Sequence, residues 1–420
     1  MKKLIYTIVG LLFPLVVSAE SDGDSLRRIG YSLNLGPGHE VKMDKYNKKM
    51  VKGTSNFSLF AEFHHVSLPQ DSDAFASDFG YPILTLGAKY SFNHGVTLHR
   101  NPDPDWGLAQ EVDYDSRLGN SFAIYGNFAR PFFRSNRWET DYSLSFGIGY
   151  MSHKYNPVDN VDNDLIGSRW LIYFGAGLHV AYHFSPNWGI RGGLEYWHLS
   201  NGALNRPNKG ANFIGPVLGI VYEPYYKDIS GSRKIKHCPP FEKYLYANFT
   251  WGTGIKTLHE DWQLTQFETK PGEKGYRTDK FKHYVCYSFQ ADLMCRYARR
   301  WASGIGFDIF YGNYASRCRE LDEAKGYDMA HSPWSIAVAG KHETFYHNFS
   351  LAVELGVYLY REMGFLAKRM ERRYFERIGL HYTCPRLGGL QVGFNVKAHL
   401  AKADYTELVL SYPIVLKRYK

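Results

Sequence analysis

Apolar residues alternate with small or polar residues over long stretches of this chain. In 142–150 the even-numbered positions are aromatic or aliphatic and the odd-numbered positions are Ser or Gly, and 174–184, 305–311 and 349–359 repeat the pattern with few exceptions. A period of two predicts β-strands with one apolar face. The runs last about 10–13 residues, the length that a tilted membrane strand needs, whereas strands of soluble proteins average ~5–6. The pattern therefore predicts transmembrane strands with a polar lumen side.

The connections between these segments alternate in length. Tight connections are predicted near 134–139, 186–187, 299–300 and 386–389. Long polar connections are predicted near 38–55, 94–119, 154–172, 258–282, 314–333 and 361–374. Bacterial barrels have short periplasmic turns and long external loops, so both termini are expected in the periplasm. Two connections, near 68–80 and 224–242, break this rule.

Roughly 16 such segments are present, which predicts an all-β fold, an antiparallel transmembrane β-barrel. Two architectures fit: one barrel of ~14–16 strands, or two tandem eight-stranded barrels. We favour the single barrel. Its two halves would be 20–223 and 243–420, joined by a basic linker at 224–242, and the role of the second half stays open.

The N-terminus predicts export to the cell outer membrane. Residues 1–19 have the basic start, apolar run and small-residue end of a signal peptide. The sequence after it has no run of 18 apolar residues, so no transmembrane helix is expected.

Composition narrows the partners. The net charge is +9, with 33 Tyr and 40 Gly, which suits an anionic lipopolysaccharide surface or, equally, solubility alone. We expect outer-membrane lipid around the chain, no nucleic acid and no cofactor, and the oligomeric state is open. The five Cys form no CxxC pair, so a metal site is not expected; they are Cys238, Cys286, Cys295, Cys318 and Cys384.

One strand carries a candidate catalytic pair. In 188–200, Tyr196 shares its face with His198 and Ser200, while Glu195 lies on the other face. Charge belongs in the lumen, because Arg or Lys on the lipid face costs ~2–4 kcal/mol at the midplane. His198 and Ser200 are therefore expected to point outward, near the outer leaflet.

The pair has the residue types of a serine esterase. A Ser hydroxyl needs an imidazole to take its proton, and the imidazole needs a partner that fixes its tautomer. The following loop supplies amide groups that can stabilise an oxyanion: Asn201, Asn205, Asn208 and Asn212. The alternative is that Ser and Asn here only form turns.

The motif His198-Leu-Ser200-Asn201, followed by Pro207-Asn208-Lys-Gly210, resembles the lipid A 3-O-deacylase (PagL) family over about residues 28–223. That resemblance implies an eight-stranded outer-membrane barrel that hydrolyses an ester-linked acyl chain of lipid A, within lipopolysaccharide, without a metal. It implies Ser200 as nucleophile and His198 as general base. It also suggests Asn201 and Asn208 for the oxyanion site.

The chain departs from the family at the third catalytic position. The family has a Glu about 14 residues after the His, where this chain has Asn212. An Asn can orient an imidazole but cannot balance its positive charge. Glu195 is not a substitute because its parity turns it inward, and Glu223 is too far along the next strand. His399 is not a second site, since Ala401 lacks a hydroxyl and His399 falls on the polar face.

Three hypotheses follow. The first is an outer-membrane esterase acting on lipid A through Ser200, His198 and Asn212. The second is a phospholipase A-type barrel, since outer-membrane phospholipases also use an external Ser-His-Asn set. The third is a non-enzymatic channel or lipopolysaccharide-binding barrel.

Overall fold

The computed structural model describes residues 27–231 and 240–419. The predicted signal peptide at 1–19 and Cys238 lie outside the described residues. No helix within these two ranges is long and apolar enough to cross a membrane.

The first half of the chain closes into a ring of antiparallel strands. These are β1 (Ile29–Glu40), β2 (Val51–His65), β3 (Ile83–Leu98), β4 (Ser116–Arg117), β5 (Ser121–Arg134), β6 (Trp138–Met151), β7 (Trp170–His183), β8 (Trp188–Ser200) and β9 (Ala211–Tyr222). The ring runs β2-β1-β9-β8-β7-β6-β5-β3 and closes where β3 pairs with β2, and the two-residue β4 pairs with the end of β3.

The second half closes into a separate ring. Its strands are β10 (Lys243–Lys256), β11 (Tyr284–Ala298), β12 (Trp301–Gly312), β13 (His331–Tyr346), β14 (Phe349–Met363), β15 (Tyr374–Cys384), β16 (Leu390–His399) and β17 (Lys402–Tyr419). They follow one another in sequence order, and β17 pairs back onto β10.

The all-β antiparallel barrel class is confirmed, and the architecture is the second of the two considered: two eight-stranded barrels in tandem. The single barrel that we favoured is not formed. The physical reason is that β9 pairs with β8 on one side and with β1 on the other, which leaves β9 no free edge for β10. Each ring satisfies its own backbone groups, as a membrane requires. Alternation within a strand is the same in either architecture, so it does not reveal where a sheet closes.

Short helices lie in the connections of the described ranges. They are α1 (Lys45–Met50), α2 (Ala74–Asp78), α3 (Tyr226–Ser230), α4 (His259–Gln263) and α5 (Ala315–Ala324). Short 3-10 segments lie at Pro69–Asp71, Pro104–Trp106 and Pro385–Leu387, and π-helical turns at Leu264–Glu268 and Leu366–Met370.

The predicted alternation sorts side chains as a membrane barrel requires. Outer positions such as Leu33, Ile148 and Leu178 are 65%, 63% and 59% exposed. The lumens hold paired charges instead. Lys89 Nζ lies 3.0 Å from Glu195 Oε2 in the first barrel. In the second, Lys341 pairs with Asp292, and Arg377 pairs with Glu354. An eight-stranded interior is just wide enough to be filled by side chains.

The two barrels contact each other at both ends and midway along the strands. At the short-turn end, Phe75 of α2 packs at the mouth of the second barrel, and Asp73 Oδ2 lies 2.9 Å from His347 Nε2. Midway, the rings of Phe146 and Phe394 stack with centroids 4.6 Å apart. At the long-loop end, the Tyr155 hydroxyl donates to a main-chain carbonyl of the 257–283 loop at 2.8 Å.

Candidate active site

Strand β8 presents the candidate catalytic residues on the outer wall of the first barrel. Ile190 and Leu194, which precede His198 on the same face of β8, are 48% and 49% exposed. Between the outward positions, Trp197 and Leu199 point into the lumen and are 3% and 1% exposed. His198 and Ser200 therefore lie on the outer face at the long-loop end of β8, as parity predicted.

His198 and Asn212 are direct partners across the β8–β9 pair. His198 Nδ1 lies 2.8 Å from Asn212 Oδ1. Because the amide oxygen only accepts, Nδ1 carries the hydrogen and donates it. This fixes the tautomer in which Nε2 is free to accept a proton. The Asn212 Nδ2 group donates to the Gly210 carbonyl at 3.3 Å, which is consistent with this amide orientation.

Two further residues hold Asn212 in place. The Tyr196 hydroxyl donates to Asn212 Oδ1 at 2.7 Å. The main-chain N–H of Asn212 donates to the buried Glu40 carboxylate, at 3.1 and 3.2 Å from its two oxygens. Sequence reasoning did not assign either residue a role. Tyr196 shares the outer face of β8 with His198, which is a signal of proximity, whereas Glu40 is 172 positions away and gives none.

Gly210 packs directly against the His198 ring. It has φ +76°, and a Cβ built on it would lie 2.5 Å from His198 Cε1 and 3.3 Å from both ring nitrogens. Only a residue without a side chain leaves the imidazole in this position. The Gly210 N–H donates to the Leu165 carbonyl at 3.0 Å, so the neighbouring 152–169 loop fixes this contact.

The loop after Ser200 is organised by its own Asn side chains. Asn208 Oδ1 accepts the main-chain N–H of Asn201 at 2.9 Å. Asn201 Nδ2 donates to the Asn205 carbonyl at 3.1 Å, and Asn205 Nδ2 donates to the Gly167 carbonyl at 2.8 Å. The structure therefore brings Asn201 and Asn208 together beside Ser200. Their role toward an oxyanion stays a prediction.

Ser200 is 9% exposed and pairs across the strands with Ile172. Among the hydrogen bonds between described residues, none joins Ser200 Oγ to His198. Such contacts are often long before substrate binds. The Ser200–His198 contact therefore also stays a prediction.

The other acidic and His candidates lie in the lumens. Glu195 faces inward and pairs with Lys89, as expected. Glu223 Oε2 lies 2.8 Å from His183 Nε2 inside the first barrel. His399 Nε2 lies 2.9 Å from the Tyr358 hydroxyl and is only 5% exposed. None of these residues reaches the outer wall where His198 lies.

Comparison with protein-family models gives two matches. Residues 84–221 match the model described as lipid A 3-O-deacylase (PagL), and this range contains His198, Ser200 and Asn212. Residues 245–417 match the model described as acyloxyacyl hydrolase, C-terminal domain. The two matches fall within the first and second barrels, respectively.

Solved structures with some similarity include outer-membrane barrels. The outer membrane enzyme PagL is 14% identical, with a TM-score of 0.29, over 45% of this chain and 97% of that one. Neisserial surface protein A is 9% identical, with a TM-score of 0.27, over 46% of this chain and 96% of that one. A search of curated proteins gave no match.

Proposed function

We propose that this chain, an outer-membrane hydrolase that belongs to the lipid A 3-O-deacylase (PagL) family, cuts an ester-linked acyl chain of lipid A with a Ser200-His198-Asn212 arrangement. The observation that carries the proposal is the 2.8 Å contact between His198 Nδ1 and Asn212 Oδ1 on the outer wall. His198 lies two residues before Ser200 on the same face of β8. The family match supports the substrate class. Lipid A is itself a component of the outer leaflet, which is where we expect these residues to lie.

In the first half-reaction, His198 Nε2 accepts the Ser200 hydroxyl proton while Oγ attacks the ester carbonyl. The tetrahedral intermediate collapses and expels the sugar alkoxide, which takes the proton back from His198. In the second half-reaction, His198 removes a proton from water, which attacks the acyl-Ser200 ester, and His198 then gives that proton to Ser200 Oγ as the acyl–oxygen bond breaks. The products are a free fatty acid, the deacylated lipid and regenerated Ser200.

Asn212 holds the imidazole in the reactive tautomer, with Tyr196 ordering its amide oxygen. It supplies no charge to balance the imidazolium, so this arrangement is expected to be slower than one with a carboxylate. For the oxyanion we assign the Nδ2 group of Asn208, because its Oδ1 already accepts from Asn201. Asn201 contributes by fixing the main chain directly after Ser200.

A second candidate is phospholipase A-type activity, and Asn212 favours it because outer-membrane phospholipases use an external Ser-His-Asn set. The purified protein should be given lipid A and glycerophospholipid in separate detergent micelles. We expect fatty acid release from lipid A by the wild type and none by Ser200→Ala. Release from glycerophospholipid alone would favour the second candidate, and release from neither would contradict both.

A further inference from the structure

The loop that follows Ser200 is hydrogen-bonded to the second barrel. The main-chain N–H and the hydroxyl of Thr257, directly after β10, donate to the Ala203 carbonyl at 3.0 and 3.2 Å. In return, Arg206 donates from Nε and Nη2 to the Thr257 carbonyl at 3.1 and 3.0 Å. Thr257 is therefore paired with the loop through both its donors and its acceptor.

A second contact lies closer to Ser200. The Thr406 hydroxyl, on the outer wall of β17, donates to the Gly202 carbonyl at 3.3 Å. Gly202 has φ +59°, and a Cβ on it would lie 2.0 Å from Thr406 Oγ1 and 3.3 Å from Ile172 Cδ1. The second barrel thus lies directly against the main chain two residues after Ser200.

Hydrogen bonds and packing within the 201–210 loop connect these contacts to the candidate catalytic groups. Asn201 is linked to Asn205 and Asn208, on either side of Arg206. Arg206 is only 8% exposed, so its hydrogen bonds to Thr257 lie in a largely water-free setting where they are strong. At the far end of the same loop, Gly210 packs on the His198 ring.

We infer that the second barrel is an intramolecular clamp: through Thr257 and Thr406 it holds the 201–210 loop in the conformation that aligns Ser200 with His198. This inference rests on the proposed function. It gives the 243–420 half a role in catalysis without placing a catalytic residue there. Thr257, Thr406 and Arg206 are positioning residues.

The competing explanation is that these contacts only dock the two barrels against each other. The interface between the barrels, here called the seam, also has contacts at its short-turn end, and these provide the control. There, Arg300 donates to the Asp78 carbonyl and stacks over Phe79, and His347 binds Asp73. These contacts join the barrels without touching the 201–210 loop. Variants there weaken docking but leave the clamp intact.

The test compares full-length variants from the two ends of the seam, using the fatty acid release assay on lipid A. Arg206→Ala is expected to lower kcat by about 10- to 100-fold with KM nearly unchanged, since a small misplacement of reacting groups acts on the chemical step. Thr406→Val is expected to lower kcat about fivefold, the effect of losing one hydrogen bond. Arg206→Lys and Thr406→Ser keep a donor and should recover part of the rate. Arg300→Ala and His347→Ala should keep the wild-type kcat.

Heat-dependent migration on SDS gels checks that each variant forms folded barrels, and the mild Thr406→Val and Thr406→Ser pair keeps the test open if Arg206→Ala does not fold. An active wild type with an unchanged kcat in Arg206→Ala and Thr406→Val would overturn the clamp while leaving the proposed function standing. Equal losses at both ends of the seam would also overturn it, in favour of simple docking. A wild type that releases no fatty acid would overturn the proposed function and the clamp together.

Discussion

His198 and Asn212 are joined twice, by direct cross-strand pairing of β8 with β9 and by the 2.8 Å contact between Nδ1 and Oδ1. Strand pairing places the two Cβ atoms roughly 4.5–5.5 Å apart, so the contact needs no movement of the main chain. An amide thus occupies the position that, by the family resemblance, belongs to a carboxylate. The amide still orients the imidazole, but it lacks the negative charge that a carboxylate would supply.

The first prediction concerns Asn212. Asn212→Ala should lower kcat roughly 100-fold, because the imidazole loses the group that fixes its tautomer. Asn212→Asp should raise kcat above the wild type, because a carboxylate of the same shape also stabilises the imidazolium. Tyr196→Phe, which leaves His198 its partner, should have a much smaller effect. A lower kcat in a folded Asn212→Asp variant would contradict the assigned role.

Gly210 provides a steric test. Gly210→Ala places a methyl group 2.5 Å from His198 Cε1, so the ring must move, and kcat should fall by about 100-fold. Gly272→Ala is the matched control, since Gly272 also has a positive φ, +87°, but nothing lies within 4 Å of its Cβ position. Both variants carry similar backbone strain of ~1–2 kcal/mol. Equal activity of the two variants would show that the His198 ring position is unimportant.

The third prediction addresses the channel hypothesis. Lys89 with Glu195, and Lys341 with Asp292, form buried ion pairs inside the two lumens. An eight-stranded interior is just wide enough to be filled by side chains, so we expect no continuous aqueous path through either barrel. The purified protein should show no conductance steps in planar bilayers under conditions where a general porin does. Regular steps that persist in the Ser200→Ala variant would support a channel instead.

The fourth prediction concerns pH at the clamp. Burial lowers the pKa of His259, in α4, well below its usual 6.5, and the nearby cations Arg206, Lys209 and Lys402 lower it further. The folded state therefore disfavours the proton that the unfolded state accepts, so this contribution to stability is complete above pH 6.5 and is lost as the pH falls below it. Thermal unfolding measured from about pH 7.5 to about pH 5 should show a smaller loss in His259→Gln than in the wild type. An identical loss of thermal stability in the wild type and in His259→Gln would contradict this assignment to His259.

The sequence predicted the barrel class and the outward orientation of His198 and Ser200 because successive side chains of a strand point to opposite faces. Once Glu195 is assigned to the lumen, Trp197 and Leu199 must follow it, and His198 and Ser200 must face outward. The number of barrels could not be read in this way, since alternation along β9 is the same whether its neighbour is β1 or β10.

For a related reason, the contacts that support the site could not be predicted from the sequence. Glu40 meets the main chain of Asn212 only because β1 closes the ring against β9. Thr257 meets Ala203 only because the second barrel lies against the long-loop end of the first. Neither contact leaves a local spacing in the sequence. The tandem architecture had to be known before either could be placed.

The most direct test of the central claim is mass spectrometry of lipid A from cells that express the wild type or Ser200→Ala at equal levels in the outer membrane. The account predicts that lipid A from the wild-type cells lacks one ester-linked acyl chain, while lipid A from the Ser200→Ala cells keeps it. Identical acyl patterns in the two strains would contradict the claim that Ser200 is the nucleophile of a lipid A deacylase.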